Sequence, residues 1–257
     1  MPLFVRESGP QDAPTIVWLH GGGVSGWMWQ EPVRLLDEYH SLVPDLPGHG
    51  GSADMLPLTI AGSAALVADL IQTRAHGGRA YLVGISFGGQ VAITMVASAA
   101  GLIERAVVSG TLAHPMSTAH LVGRLSSLYM PFRNTDWLVR ANARALGVPE
   151  RYLPEFAEDT RRLSSAGMSQ LLTENMSFQP PSALRRAEVP TLVIVGDQEP
   201  AVMRRSALEL STMLPNGRGA VVRGANHNWC LSDPQRFADT VRAWISRRPL
   251  PSGIRLL

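Results

Sequence analysis

The chain contains no lysine: all 23 of its basic residues are arginine. Without a lysine amine, Schiff-base mechanisms and lysine-bound pyridoxal phosphate are excluded. Cysteine is nearly absent as well, and the single residue, Cys230, cannot form a disulfide within the chain. One unpaired cysteine fits a reducing compartment, so we expect a cytoplasmic protein.

Long apolar runs are also missing, because no stretch of the sequence reaches the length of a membrane span. Residues 1–7 hold no basic segment followed by an apolar core, so no signal peptide is predicted. The formal net charge is only +2 despite a pI of about 9.1, and the two signs are mixed along the chain. We therefore expect a small-molecule substrate as partner, with no nucleic acid and no membrane, and the oligomeric state stays open.

The feature that organises the chain is a G-x-S-x-G sequence at Gly84–Gly88, with Ser86 at its centre. The apolar run Tyr81–Val83 precedes it, as in a buried strand, and mostly small, apolar residues follow it, as in a helix packed on a sheet. A sharp reversal from strand to helix forces the central residue into a strained backbone conformation, and the flanking glycines avoid Cβ clashes. The sequence thus predicts that Ser86 holds its hydroxyl at the tip of a turn.

Short apolar runs alternate with helical patterns, which predicts an α/β protein with a mostly parallel, doubly wound sheet. The predicted strands are Phe4–Val5, Thr15–Leu19, Ser41–Pro44, Tyr81–Val83, Arg105–Gly110, Thr191–Val195 and, as the last strand, Gly219–Arg223. The predicted helices between and after them are Gln30–Tyr39, Thr59–His76, Phe87–Ala100, Met203–Met213 and Pro234–Arg247.

The pattern changes between about Leu112 and Arg186, where helical spacing broken by proline and glycine replaces the strand pattern. The segment is interpreted as a helical insertion, with residues 1–111 and 187–257 forming one core domain around it. Its predicted helices are Leu121–Tyr129, Trp137–Leu146, Pro154–Arg162 and Met168–Asn175.

Chemically useful residues follow three of the predicted strands: Ser86, the acidic pair Asp197 and Glu199, and His227. Ligands of open α/β sheets bind at the carboxyl ends of the strands. A serine hydroxyl is a poor nucleophile near neutral pH and needs a base, and imidazole suits that task. A carboxylate on the other imidazole nitrogen then fixes the tautomer and stabilises the imidazolium.

A glycine-rich loop, His20–Gly23, follows the strand Thr15–Leu19. Glycine backbone offers N–H groups that no side chain obstructs, which is what an oxyanion site requires. His49 lies in a second dense cluster of turn residues, and we interpret it as a loop histidine bonded to backbone.

Taken in order, these motifs resemble the landmarks of the α/β-hydrolase fold superfamily, and the resemblance covers nearly the whole chain. It rests on His20–Gly23 with Trp27, Asp45-x-x-Gly48-x-Gly50-x-Ser52, Gly84-x-Ser86-x-Gly88, Gly196-Asp197-x-Glu199 and Gly224-x-x-His227-x-Trp229. The resemblance implies an α/β-hydrolase fold in which residues 112–186 form a helical cap between core strands 6 and 7. It also implies a serine hydrolase that uses neither a cofactor nor a metal ion.

The same resemblance implies Ser86 as nucleophile and His227 as general base and later general acid. The two oxyanion donors are then the backbone N–H groups of Gly22 and Phe87. The family normally has aspartate at the position of Glu199, whose extra methylene demands a retracted backbone or another rotamer. We favour Glu199 as the triad acid, with Asp197 as the alternative, because a residue at the latter position more often caps a turn.

A serine at the elbow sets this chain apart from epoxide hydrolases and haloalkane dehalogenases of the fold, which carry aspartate there. The absence of lysine sets it apart from plant-type hydroxynitrile lyases. We therefore expect an esterase-like enzyme that cleaves a small, hydrophobic carboxylic ester, lactone or thioester through an acyl-enzyme. The alternatives are a carbon–carbon hydrolase, a lyase or synthase of the meta-cleavage or menaquinone-pathway type, or a slow-turnover receptor. Substrate contacts are expected at Trp27, Leu112 and Trp229, which neighbour the motifs.

Overall fold

A computed structural model of the chain describes residues 2–116 and 130–257. The described residues form one sheet of eight strands in the order β1-β3-β2-β4-β5-β6-β7-β8. The strands are β1 (Val5–Ser8), β2 (Thr15–Leu19), β3 (His40–Pro44), β4 (Ala80–Ile85), β5 (Ile103–Ser109), β6 (Thr191–Gly196), β7 (Gly217–Val222) and β8 (Ile254–Leu256).

The six central strands are parallel, and the two edge strands, β1 and β8, run antiparallel to their neighbours. The predicted parallel α/β architecture is confirmed. The prediction that Gly219–Arg223 is the last strand is wrong, because β8 follows and pairs with β7. With three residues behind Pro251 and Gly253, β8 is too short to show a strand pattern of its own.

The helices pack on both faces of the sheet. They are α1 (Gln30–Leu35), α2 (Ile60–Arg74), α3 (Phe87–Ser98), α4 (Asp136–Ala145), α5 (Leu153–Arg162), α6 (Ser165–Ser177), α7 (Ala201–Met213), α8 (Trp229–Ser232) and α9 (Pro234–Ile245). Short 3₁₀ turns lie at Gly26–Trp29, Gly50–Ser52, His76–Gly78, Ala100–Leu102, Met130–Phe132, Glu150–Tyr152 and Ser182–Arg186. The helix predicted over Gln30–Tyr39 ends early, since Leu36 already leaves helical backbone angles at φ −121° and ψ 39°.

Alternation along the fully buried strand β2 divides the core in two. Val17 and Leu19 face a cluster that includes side chains of α2, α3 and α7, while Ile16 and Trp18 face one that includes side chains of α9. Burial of both faces is typical of a doubly wound parallel sheet, whose strands read as continuous apolar runs. The chemistry-bearing loops therefore emerge at an edge of a sheet that is covered on both sides.

The predicted insertion lies between β5 and β6, which are the fifth and sixth strands counted along this chain. The resemblance implies strands 6 and 7 at this point. The count along this chain is one lower, because β1 is the only strand before the parallel strands among the described residues. Within residues 130–186 the described elements are α4, α5, α6 and three of the 3₁₀ turns. The helix predicted over Leu121–Tyr129 lies outside the described residues, and the boundaries at 112 and 186 stay a prediction.

Two side chains of α6 attach this helical segment to the start of α2. Gln170 Oε1 accepts a hydrogen bond from Leu58 N, and Glu174 Oε2 accepts one from Ile60 N, both at 2.8 Å. Because the first N–H groups of a helix lack intrahelical acceptors, the Glu174 carboxylate stabilises the beginning of α2. None of the helices in the two described ranges has the length and hydropathy of a membrane span.

Candidate active site

Ser86 occupies the turn between β4 and α3 in a strained conformation, with φ 53° and ψ −117°. A positive φ is rare for a residue with a side chain and marks the sharp strand-to-helix reversal. A Cβ built on Gly84 would lie 2.5 Å from Gly88 O, so the two glycines of the motif permit this close crossing. Ser86 N donates to Ser109 O at 2.9 Å, which ties the turn to the end of β5.

Glu199 and His227 are joined by a short hydrogen bond, with 2.6 Å between Oε2 and Nδ1. The Glu199 side chain is 1% exposed and the His227 side chain 31% exposed, so the pair has a buried acid and an accessible ring. The other Glu199 oxygen, Oε1, accepts from Gly196 N at 2.9 Å. This bond folds the longer glutamate side chain back over its own turn, which accommodates the extra methylene.

Asp197, the alternative acid, lies apart from the histidine. It is exposed, and its Oδ1 accepts from Gly224 N at 2.8 Å, joining the turns that follow β6 and β7. Of the two carboxylates that the sequence left as candidates, the structure therefore brings Glu199 to His227 and uses Asp197 to cap a turn.

Gly110 is the link between the Glu199–His227 pair and the turn at Ser86. It follows Ser109, which pairs with Ile85 in the sheet, so it lies beside the serine turn. A Cβ built on Gly110 would lie 2.8 Å from His227 Nδ1 and 3.1 Å from Glu199 Oε2. With φ at 53° and the imidazole packed against its Cα, this position accepts only glycine.

The glycine-rich loop approaches the same serine from β2. A Cβ built on Gly21 would lie 3.7 Å from the Ser86 Cβ, and one on Gly88 would lie 2.5 Å from His20 O. Phe87 is the first residue of α3, so its N–H has no acceptor within the helix. Among the described residues, no hydrogen bond is assigned to the backbone N–H of Phe87 or Gly22.

His20 fixes the orientation of that loop. It is fully buried, and its Nε2 accepts from Leu46 N at 2.8 Å, so the proton lies on Nδ1, which donates to Gly21 O at 2.8 Å. Because C=O and N–H of a trans peptide point in opposite directions, holding the carbonyl of Gly21 also aims the N–H of Gly22. Burial lowers the pKa of His20, which keeps the ring neutral in this role.

His49 lies against His20, with 5.0 Å between the ring centres. Its Nδ1 is 3.0 Å from Pro47 O, consistent with the interpretation as a loop histidine. Burial and the neighbouring His20 lower the pKa of His49 to about 3, so this ring is neutral at ordinary pH.

The three expected substrate contacts are all largely buried. Trp229 Nε1 donates to Ser109 Oγ at 3.1 Å, and its ring packs 4.7 Å from Phe237, which places it in the core beneath the His227 loop. Leu112 is 8% exposed, and its carbonyl accepts from Gln90. Trp27 lies below the helical segment and donates its indole N–H to Asp159 Oδ2 at 2.6 Å.

Sequence reasoning missed two residues of the helical segment that reach the site or its surroundings. Asp159 lies on α5 three residues after Phe156, so an acid on an apolar helix face was the available signal. Leu171 of α6 covers the glycine-rich loop His20–Gly23, because a Cβ built on Gly22 would lie 2.9 Å from its Cδ1. No local pattern distinguishes Leu171 from its neighbours on the helix.

The alpha/beta hydrolase family matches this chain over residues 16–240. A protein from Gibberella zeae named as an AB hydrolase superfamily protein is 29% identical, over 99% of this chain and 88% of its own length. A 2-succinyl-6-hydroxy-2,4-cyclohexadiene-1-carboxylate synthase from Yersinia pestis is 31% identical, over 91% of this chain and 88% of its own length.

Among solved structures, a thermophilic esterase from Thermogutta terrifontis superposes with a TM-score of 0.77 over 95% of this chain and 93% of its own. Its sequence is 20% identical, a level at which the likeness shows the fold alone. The match over most of the sequence, and the sheet topology that agrees with it, show that the chain belongs to the alpha/beta hydrolase family.

Proposed function

We propose that this enzyme cleaves a small, hydrophobic carboxylic ester, or a related lactone or thioester, through an acyl-enzyme on Ser86. The observation that carries the proposal is the 2.6 Å bond between Glu199 and His227 at the sheet edge where the strained Ser86 emerges. A serine, a carboxylate and an imidazole, in this chain order, are the components of a hydrolytic triad.

In the first half-reaction, His227 Nε2 takes the proton of Ser86 Oγ as the oxygen attacks the ester carbonyl. Glu199 accepts the Nδ1–H bond throughout, which fixes the tautomer and stabilises the imidazolium. Collapse of the tetrahedral intermediate breaks the bond to the alcohol oxygen, which leaves with the proton from His227.

In the second half-reaction, water replaces the alcohol. His227 removes a proton from the water as the water oxygen attacks the acyl carbonyl. The acid is then released, and Ser86 Oγ recovers its proton from His227. These steps require no cofactor and no metal ion.

The backbone N–H groups of Phe87 and Gly22 donate hydrogen bonds to the carbonyl oxygen and stabilise the negative charge that develops on it. The position of Phe87 at the start of α3 and the bond from His20 to Gly21 O support this assignment. Removal of one such donor costs about 3–4 kcal/mol of transition-state stabilisation in related chemistry.

Aliphatic side chains around the glycine-rich loop His20–Gly23 favour an apolar acyl group. The end of the Leu171 side chain packs on the Gly22 Cα, and the side chains of Val24 and Ile85 lie against Gly21. Aliphatic surroundings bind hydrocarbon better than charged substrate groups. Trp27 and Leu112 remain the proposed contacts nearer the substrate, and Trp229 is proposed to hold the His227 loop from below.

The second candidate is carbon–carbon chemistry with the same triad, in either a hydrolase or a synthase. The relative from Yersinia pestis, named as a 2-succinyl-6-hydroxy-2,4-cyclohexadiene-1-carboxylate synthase, favours it. A slow-turnover receptor is the third alternative, and it predicts one equivalent of acylation without turnover.

Hydrolysis of a graded p-nitrophenyl ester series, acetyl to dodecanoyl, tests the proposal. Sustained turnover with a preferred chain length, abolished in Ser86→Ala, supports the esterase. Absence of turnover on every ester by the folded parent contradicts the ester proposal and favours carbon–carbon chemistry or ligand reception. Turnover that survives Ser86→Ala contradicts the mechanism.

A further inference from the structure

A groove of about 860 Å³ lies at the opposite edge of the sheet from Ser86. Arg105 enters it from the beginning of β5 and Arg218 from the beginning of β7, and Arg247 and Arg248 follow the end of α9. Trp244 also lines it. No aspartate or glutamate is among its described lining residues, so four guanidinium groups share one open groove without an acid.

None of these four arginines has a carboxylate partner, although eight other arginines of the described residues do. Elsewhere, for example, Arg6 pairs with Asp45. Among the described residues, no carboxylate oxygen lies within 4.0 Å of the groove guanidinium groups. The groove therefore concentrates a formal charge of about +4 in a protein whose net charge is +2, and such a concentration of one sign attracts anions.

Crowding of like charges is strongest at Arg105. Burial lowers the pKa of its guanidinium most, and the charge of Arg247 lowers it further; Tyr81 raises it by less, and Arg218 adds the smallest lowering. Its Nε is buried without a hydrogen-bond acceptor.

Trp244 arranges the cations. The Arg105 guanidinium carbon lies 4.6 Å from its ring centre and that of Arg218 lies 6.0 Å away, so both stack on one indole. Trp244 is 5% exposed, and its Nε1 is also buried without an acceptor. Trp244 thus places two of the four guanidinium groups against one ring at the groove.

The backbone after α9 presents the other two arginines. Arg247 has a φ of 56°, a left-handed conformation that costs free energy in a residue with a side chain. Arg247 N donates to Trp244 O at 3.3 Å and Arg248 N to Ala243 O at 2.8 Å, which closes the helix end. Both side chains are therefore carried on a closed turn at the groove.

We propose that this groove binds a multivalent phosphate, namely a di- or triphosphate group, separately from the ester-cleaving site. Planar guanidinium forks match phosphate oxygens in pairs, and four of them match the three to four negative charges of such a group. A single carboxylate would leave most of the charge uncompensated. The volume leaves room for an organic substituent, so the phosphates come either from a free polyphosphate or from a nucleotide.

Isothermal titration calorimetry of the full chain with pyrophosphate, tripolyphosphate and ATP, with acetate as the monovalent control, tests the site. We expect saturable binding that is tighter for tripolyphosphate than for pyrophosphate and negligible for acetate. Equal affinity for ATP and tripolyphosphate assigns recognition to the phosphate chain alone, and tighter ATP binding assigns the substituent a contact. Absence of saturable binding by tripolyphosphate and ATP overturns the proposal.

The variant Arg105→Gln/Arg218→Gln should weaken tripolyphosphate binding at least about 10-fold. Its matched control is Arg34→Gln/Arg140→Gln, which removes the same charge from exposed pairs with Glu31 and Glu150. Equal loss in both variants would indicate general attraction and overturn the proposal. If the first variant does not fold, Arg247→Gln/Arg248→Gln, at two exposed positions, carries the same expectation.

Discussion

The sheet edge and the helical segment each bury a carboxylate against an aromatic N–H, and the two carboxylates are differently placed for chemistry. Glu199 meets His227 Nδ1 and Asp159 meets Trp27 Nε1, both at 2.6 Å. The imidazole can accept a second proton and become a cation, whereas the indole cannot. The same pairing of acid and ring nitrogen therefore allows an ion pair at the sheet edge, whereas the ring partner of Asp159 stays uncharged.

The surroundings of the two acids sharpen this difference. A backbone hydrogen bond holds the Glu199 carboxylate in place, since Gly196 N donates to its Oε1. Asp159 has the Trp27 and Ser25 side chains as hydrogen-bond donors, yet burial dominates and raises its pKa to about 6, with the charge of Asp45 adding to the rise. Of the two buried acids, Glu199 is the catalytic candidate, because its partner, His227, can hold the compensating charge.

The largest expected effect comes from removing the charge of Glu199. Glu199→Gln should lower kcat/KM for a p-nitrophenyl ester by about 10³–10⁴-fold, because the imidazolium loses its stabilising carboxylate. Asp159→Asn and Asp197→Asn, measured in the same assay, should each cost far less, since neither contacts His227. An equal loss in Asp197→Asn would show that the acids were assigned wrongly.

The next effect concerns the contact that seats the histidine. Gly110→Ala should lower kcat/KM by about 10²-fold, because the new methyl group overlaps the His227 ring and displaces it. Gly77→Ala is the matched control, since Gly77 also has a positive φ, 65°, but has no atom within 4 Å of a built Cβ. The left-handed backbone alone should cost each variant about 1–2 kcal/mol of its free energy of unfolding, and Gly110→Ala should lose more because of the overlap with His227. Undiminished turnover in Gly110→Ala would contradict the described position of the ring.

The smallest effect is a pH dependence of stability that belongs to Asp159. Its pKa is higher in the folded chain, about 6, than the ordinary value of 3.8, so the folded state binds this proton more tightly. The contribution of Asp159 to the free energy of unfolding therefore rises as the pH falls through about 6, and it stops rising below about pH 4. The total change is at most about 3 kcal/mol.

Asp159→Asn keeps an acceptor for Trp27 and removes the titration. The free energy of unfolding of the variant minus that of the parent should be larger at pH 8 than at pH 5, as measured by urea unfolding at both pH values. Asp69→Asn supplies the matched loss of one carboxylate at an exposed position of α2. If the free energies of unfolding of Asp159→Asn and the parent differ by the same amount at pH 5 and pH 8, Asp159 does not titrate in this range.

Local chemistry explains which parts of this molecule could be predicted from sequence. The turn at Ser86 is specified within five residues, because Gly84 and Gly88 are needed where the chain crosses itself. The preference for Glu199 over Asp197 rests instead on the resemblance to the family, in which the acid stands at the position of Glu199.

Contacts between distant segments could not be predicted in this way. The Trp27–Asp159 bond joins positions 132 residues apart, and no local periodicity encodes it. The need for glycine at position 110 arises only when the His227 ring arrives from another loop. Hydrophobic residues of the helical segment were equally ambiguous, since Phe156 is buried while Trp137 is 68% exposed.

The most direct test of Ser86 as a nucleophile activated by His227 is stoichiometric labelling with p-nitrophenyl diethyl phosphate. This reagent phosphorylates an activated serine and releases p-nitrophenol. We expect one equivalent of p-nitrophenol per chain, a single added diethylphosphoryl group by mass spectrometry on the peptide that holds Ser86, and no label in Ser86→Ala. Failure to release one equivalent, or a label that persists in Ser86→Ala, would contradict the mechanism.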